Sequence, residues 1–175
     1  DFGPNSPQVR RSVQLVDSYI GQLKRRIDEL KFEVNLVLVS DHGMVKVDTQ
    51  KKLNWEDLRG LEDFNVVNGS TQLMLYAKKD VGIERIEKTI KHLNRQSRGR
   101  FEAIAKGELP PNLHYHNNAR IADIIVETHP PIMFSDERNL RKVTNGMHGY
   151  NPYSNPEMGA IFIANGPAFK QGITI

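Results

Sequence analysis

Residues 34–44 read VNLVLVSDHGM, a stretch in which a short apolar run ends in a carboxylate beside an imidazole. The nearly continuous apolar run at 34–39 is typical of a strand covered on both faces, as in a parallel α/β sheet. A charged group is costly inside an apolar core unless it is paired or binds a metal. Asp41 therefore needs a compensating group, and the end of this strand is a first candidate site.

Asp41 and His42 can converge on one ion only if the strand ends there, because successive side chains of a strand point to opposite faces. Gly43 favours a turn, since glycine adopts backbone geometry that bulkier residues resist. A carboxylate and an imidazole are reasonable zinc ligands, but two ligands are too few. For this pair alone, a capping Asp and a hydrogen-bonded surface His are the simpler interpretation.

A long amphipathic helix is predicted before this strand. Ser6 and Pro7 resemble a helix start, with Ser6 as the N-cap and proline at the first helical position. Apolar residues then recur in steps of four and three, at Val9, Val13, Val16, Ile20, Leu23, Ile27 and Leu30. We expect this stripe to pack on the core, and a helix followed by a buried strand suggests half of a βαβ unit. The ligand-binding edge of such a sheet lies where its strands end.

Composition narrows the range of functions. The chain has 175 residues, 38% hydrophobic and 26% charged, which suits one globular domain. Its net charge of +3 is dispersed, so nucleic-acid binding is not expected as the main role. No apolar run approaches the roughly 20 residues of a membrane-spanning helix. Cysteine is absent, so any metal site must use His, Asp, Glu or hydroxyl ligands.

The middle of the chain is predicted to form a small α+β subdomain over residues 64–127, inserted between core segments 1–63 and 128–175. Two apolar runs flank the turn signal at 68–70, a second amphipathic helix follows, and two further short strands are expected. Residues 160–164 read as a strand that returns to the main sheet.

A second candidate site is His148, which lies between glycines in the sequence NGMHGYN at 145–151. The glycines allow the backbone to fold tightly around an imidazole that is presented from a loop. This signal is also weak when it is taken alone.

Taken together, VSDHGM, MHGYN and MGAIFIANGPAFKQG resemble, in order and separation, the carboxyl-terminal half of the nucleotide pyrophosphatase/phosphodiesterase (type I phosphodiesterase) family of the alkaline phosphatase superfamily. The first residues, DFGP, are similar to the segment that follows an Asp-x-x-Gly-His metal motif in that family. The resemblance implies an α/β fold, part of an alkaline-phosphatase-like sheet flanked by helices, with the inserted α+β subdomain.

The resemblance also implies a site with two Zn²⁺ ions. Asp41 and His42 would bind the ion that activates the nucleophile, and His148 would bind the other ion. A missing amino-terminal half would complete the site. The implied substrate is a small-molecule phosphodiester or nucleotide, and the implied location is extracytoplasmic, either periplasmic or secreted.

Hydrolysis in the family proceeds through a phosphothreonine intermediate. None of the six threonines of this chain has the family's nucleophile context, so no catalytic residue is assigned. We therefore expect a fragment of a larger hydrolase, inactive by itself and weak in zinc binding. Two alternatives stay open: a catalytically silent binding domain of the same fold, or a phosphomonoesterase or phosphonate hydrolase of the same superfamily.

Other residues are weaker candidates. His114 and His116 would share a strand face and could form a metal pair, although a position on the subdomain surface is the simpler interpretation. His92 is expected on a solvated helix surface. Trp55 is expected to be a packing anchor. Tyr150 is expected to orient His148 or to line the pocket.

Overall fold

The computed structural model describes residues 2–115, 118–136 and 144–174, and Asp1 and His116 lie outside these ranges. The described part has two α-helices, α1 (Pro7–Asp28) and α2 (Ile83–Ser97). Its strands, in chain order, are β1 (Leu36–Val39), β2 (Val45–Lys46), β3 (Leu53–Asn54), β4 (Phe64–Asn68), β5 (Gln72–Ala77), β6 (Phe101–Ala105), β7 (Ile124–Thr128), β8 (Phe134–Ser135), β9 (Gly146–Met147) and β10 (Phe162–Asn165).

The middle of the chain forms a four-stranded antiparallel sheet in the order β4-β5-β7-β6. Asn68 pairs with Leu73 at the end of the β4–β5 hairpin, so the turn lies where the sequence predicts it. The predicted hairpin, helix and two later strands are all confirmed. The division of the chain into core segments and an inserted subdomain stays a prediction.

Helix α2 covers one face of this sheet with its apolar side. Leu93 is fully buried in a cluster with Leu73, Leu75, Ile124 and Phe101, and further apolar side chains of the helix pack against the cluster. Burying such large apolar side chains contributes about 1.5–3 kcal/mol each, so this cluster is the main core of the described residues.

Helix α1 begins as predicted and differs in its packing. The Ser6 hydroxyl accepts a hydrogen bond from the Val9 amide at 3.2 Å, and Pro7 occupies the first turn. The helix ends at Asp28, so Leu30 lies beyond it. No residue of α1 is buried, and Val13 is 61% exposed. The expectation that the stripe packs on a core is therefore wrong for the described residues, which leave most of the stripe exposed.

Strand β1 also differs from its prediction as a strand buried on both faces in a parallel sheet. It pairs antiparallel with β10, in the register Leu36↔Asn165, and Val39 is 61% exposed. The return of residues 160–164 to this strand is confirmed. The sequence run is apolar on both faces, but only alternate side chains are covered by the described residues, because β1 has one neighbouring strand here.

Two-residue strands connect the chain ends to the middle. Strands β2 and β9 pair antiparallel, and β3 pairs parallel with β8. Val47, Met133, Tyr150 and Met158 form a second small core beside these pairs. This core fixes the two segments that carry the predicted site residues. No helix in the described ranges is both long enough and apolar enough to cross a membrane.

Candidate active site

The first part of the site is the bend after β1. The chain bends at Asp41, and the Asp41 Oδ1 atom accepts a hydrogen bond from the backbone amide of His42 at 2.9 Å. This local bond fixes the carboxylate against the bend while its side chain stays 84% exposed. Asp41 therefore caps the turn and still offers its second oxygen to a ligand.

Gly43 is required at this bend for space rather than for unusual dihedral angles. Its φ is outside the left-handed region, so the predicted backbone geometry is not the reason for glycine here. A Cβ at this position would collide with the carbonyl oxygens of Glu157 and Gly159. The Gly43 amide donates to the Met158 carbonyl at 3.0 Å. The bend is thus held directly against the turn at 157–159.

The pairing of β2 with β9 brings His148 to the same place. Val45 is opposite Met147 in this pair, so the residues that precede β2 and follow β9 meet at one end of it. The imidazole rings of His42 and His148 stack with centroids 3.8 Å apart and an interplanar angle of 18°. Folding therefore joins two side chains that are 148 − 42 = 106 positions apart.

The donor set at Asp41 and His42 fits a divalent cation. The His42 Nδ1 atom lies 2.7 Å from the Gly43 carbonyl oxygen, to which it donates in the tautomer that leaves a lone pair on Nε2. That Nε2 atom lies 3.4 Å from Asp41 Oδ2, so two acceptors face one another unless a proton or a cation lies between them. Two ligand atoms of a tetrahedral zinc ion lie about 3.3 Å apart.

The two imidazoles cannot share one ion in this arrangement. Ring nitrogen lone pairs lie in the ring plane, and two nearly parallel rings 3.8 Å apart direct them along separate lines. In the described ranges no group of three or more His, Asp or Glu side chains surrounds a single point. The geometry suits ligands that are divided between two ions, which in two-metal sites lie about 3.5–4 Å apart.

The residues after His148 anchor its loop. Gly149 has a φ of +91°, and a Cβ there would lie 2.7 Å from Thr71 Oγ1. Tyr150 is buried, and its hydroxyl donates to the Ile132 carbonyl at 2.7 Å. Burial raises the pKa of the Tyr150 hydroxyl above its ordinary value of 10.0. Tyr150 thus anchors the His148 loop to the second small core and does not line the candidate active site.

The beginning of the described chain lies beside the same loop. A Cβ on Gly3 would be 2.9 Å from the Asn145 carbonyl oxygen, and one on Gly146 would be 3.2 Å from Pro4 Cδ. Gly3 and Pro4 therefore pack against the segment that leads to His148. Sequence reasoning missed this contact and the β2–β9 pair, because strands of two residues leave no periodic pattern.

The weaker candidates lie elsewhere. His114 follows a short 3-10 helix with a φ of +51° and is exposed, so its predicted place on a strand is wrong, and His116 lies outside the described residues. His92 is exposed on α2, as predicted. Trp55 packs against the main core, as predicted, although its buried Nε1 has no hydrogen-bond partner among the described residues.

Comparison with solved structures identifies the fold class of this chain. Human ectonucleotide pyrophosphatase/phosphodiesterase 5 superposes with a TM-score of 0.82 at 23% identity, over 97% of this chain and 44% of that one. The murine protein, solved as an inactive threonine-to-alanine variant in complex with AMP, gives a TM-score of 0.82 at 25% identity, over 98% and 44%. The fold is therefore alkaline-phosphatase-like, as the sequence predicts.

Sequence comparison gives the family. The profile of type I phosphodiesterase/nucleotide pyrophosphatase matches residues 1–151, and the chain belongs to this family of hydrolases. A venom phosphodiesterase of Naja atra is 30% identical over 97% of this chain and 21% of its own length. Mouse ectonucleotide pyrophosphatase/phosphodiesterase family member 7 is 28% identical over 99% and 40%. The chain thus spans less than half the length of these relatives.

Proposed function

We propose that this chain is part of the catalytic domain of a zinc-dependent phosphodiesterase/nucleotide pyrophosphatase, with Asp41, His42 and His148 as metal ligands. The proposed substrates are small-molecule phosphodiesters or nucleotides. The observation that carries the proposal is the contact between His42 and His148, which unites the two motifs of the family resemblance at one end of the β2–β9 pair.

Each ligand has a structural reason for its position. Asp41 is oriented by the His42 amide, and His42 by the Gly43 carbonyl, a backbone partner of the kind that orients ligating histidines. His148 is held between Gly146 and the buried Tyr150. When bound, zinc would supply Lewis-acid stabilisation of phosphate oxygens and lower the pKa of a coordinated hydroxyl.

We also propose that the remaining parts of the site come from polypeptide outside this sequence, in a missing amino-terminal half. Two exposed apolar surfaces support this: the stripe of α1, with Val13, Val16 and Leu23, and the outer face of β1 and β10, with Val39 and Phe162. Such large apolar patches mark interaction surfaces. The contact of Gly3 with Asn145 would bring the preceding polypeptide close to His148.

A threonine nucleophile and a phosphothreonine intermediate belong to the same proposal. The inactive threonine-to-alanine variant of the murine relative, solved with AMP, supports both the nucleophile and a nucleotide ligand. This chain would then be inactive alone, because none of its six threonines has the sequence context of the family's nucleophile. The venom and ectoenzyme relatives support a location outside the cytoplasm.

The test is hydrolysis of bis(p-nitrophenyl) phosphate by the intact protein that contains this chain. We expect nitrophenol release that a chelator abolishes and added zinc restores, with two zinc ions per protein by elemental analysis. No turnover with zinc restored would overturn the proposal in favour of a silent binding domain. Faster turnover of p-nitrophenyl phosphate than of the diester would indicate the phosphomonoesterase alternative.

A further inference from the structure

A cleft of about 820 Å³ lies between residues 52–58 and the carboxyl-terminal end of α2. We name it the basic cleft, because it is lined by Lys52, Arg95, Arg98 and Arg100, with Asp57 as the one carboxylate among the described lining residues. It shares no lining residue with the candidate active site. Its apolar part includes Phe101, whose side chain is buried at the base of the main core.

The described residues that line the basic cleft carry a formal charge equal to that of the whole chain. With His92 neutral, four cations and one anion give 4 − 1 = +3, and the net charge of the 175 residues is +3. The other residues therefore sum to zero. The sequence-based expectation of dispersed charge is wrong at this place, because the turn at 98–100 and the loop at 52–58 bring separate cations together.

In the part of the chain that the structure describes, the arginines of the basic cleft have no carboxylate partner. In the described ranges no ion pair within 4 Å joins Arg95, Arg98 or Arg100 to an acidic side chain. Arg95 Nε donates to the Lys91 carbonyl at 3.2 Å, and Arg100 Nε to the Ser97 carbonyl at 3.1 Å.

The simplest role for these arginines is to stabilise the carboxyl-terminal end of α2, where the helix dipole is negative. They use one of the five N–H donors of each guanidinium. The terminal donors of both side chains are left for a further acceptor, so capping of α2 does not account for the whole cluster.

The two walls of the basic cleft are fixed to each other. The Gln96 side chain accepts from the Arg59 amide at 3.2 Å and donates to the Arg59 carbonyl at 3.0 Å. Gly60 packs against the His92 ring, where a Cβ would lie 3.0 Å from Cδ2. A cleft that is held open in this way is preorganised for a ligand and loses less entropy on binding.

We propose that the basic cleft binds a small molecule that carries two or more phosphate groups. Guanidinium groups bind phosphate oxygens in bidentate fashion, and several cations in one cleft favour a multiply charged ligand over a single carboxylate. The finite volume and the apolar wall of Leu53, Leu58 and Phe101 favour a small molecule over an extended polyanion. This inference does not depend on the proposed function.

Isothermal titration calorimetry of the intact protein that contains this chain with inorganic tripolyphosphate, in the presence of a chelator, tests the proposal. The chelator removes metal-dependent binding at the candidate active site, so any binding must occur elsewhere. We expect one site, and affinity that falls as salt rises. The double variant Arg95→Gln with Arg100→Gln should bind about tenfold more weakly or worse, because two charge-assisted contacts are lost.

A matched control removes the same charge from another surface. Arg11→Gln with Arg25→Gln, on exposed positions of α1, should bind tripolyphosphate like the wild type. Arg95→Lys with Arg100→Lys keeps the charge and should recover part of the affinity, which a folding defect would not allow. Absence of binding by the wild type, or equal loss in both glutamine variants, would overturn the proposal. ATP that binds more tightly than tripolyphosphate would identify a nucleotide rather than free polyphosphate as the ligand.

Discussion

His148 stacks on His42 at 3.8 Å between ring centroids, although neither ring belongs to a regular strand or helix. Each is held by its own local device, His42 by the Gly43 carbonyl and His148 by the flanking glycines and Tyr150. Positioning of this kind is typical of residues with a shared chemical role, since functional side chains are often carried by loops that a rigid scaffold positions.

The first prediction concerns His148 in the intact protein. His148→Ala should lower turnover of bis(p-nitrophenyl) phosphate by about 100-fold or more, because the loss of a metal ligand exceeds the 10–100-fold effects of outer-shell changes. His129→Ala, at an exposed loop position, is the control and should stay near wild type. Near-normal rates for the His148 variant with full zinc content would contradict the metal role.

The second prediction concerns the space at Gly43. Gly43→Ala should cost about 1–3 kcal/mol of unfolding free energy, because the added methyl group meets the carbonyls of Glu157 and Gly159 and displaces the Asp41 bend. Gly107→Ala is the matched control, since a Cβ there meets nothing within 4 Å. Urea denaturation of the two variants measures the difference. Equal midpoints would show that the bend tolerates displacement from the 157–159 turn.

The sequence predicts the middle of the fold well, because that part buries its own apolar residues. The hairpin β4–β5 and helix α2 have a periodicity that their packing uses, so Leu73, Leu75 and Leu93 are buried where the pattern indicates. Helix α1 and strand β1 carry equally clear patterns, yet their apolar faces are exposed. A pattern predicts that a face can be buried and does not say which polypeptide covers it.

The candidate site is predictable only in part for a related reason. The SDHGM and MHGYN motifs identify Asp41, His42 and His148 by resemblance, and each motif is weak on its own. The contact between them depends on the two-residue pair β2–β9 and on the fit of Gly43 against Met158. Neither leaves a periodic signal, so only the folded chain reveals them.

The third prediction concerns the anchor beneath the His148 loop. Tyr150→Phe should cost about 1–2 kcal/mol of unfolding free energy, because it leaves the Ile132 carbonyl without the 2.7 Å hydrogen bond. Tyr153→Phe is the control: its hydroxyl donates to the Asn112 carbonyl at 2.9 Å from an exposed position, and water can replace it. Chemical denaturation at neutral pH compares the two. A larger loss in the Tyr153 variant would contradict the role of Tyr150.

The fourth prediction concerns the pH dependence of folding and rests on Glu127. This side chain is 9% exposed in β7, and burial raises the pKa of its carboxyl above the ordinary 4.5. His129 and the 2.8 Å hydrogen bond from Gln72 lower the pKa, and Glu102, its partner across the β6–β7 pair, raises it further.

Because the folded pKa is raised, the protonated form is the one that folding favours. The stability contribution of Glu127 is fully present below pH 4.5 and is lost as the pH rises through the folded pKa. Glu127→Gln keeps an acceptor for Gln72 and removes the buried charge, so its urea midpoint should exceed that of the wild type at neutral pH. The difference should shrink as the pH falls toward 4.5. Glu87→Gln, on the exposed side of α2, is the control and should follow the wild-type pH profile. A wild-type profile for Glu127→Gln as well would show that the Glu127 carboxylate is solvated in the folded chain.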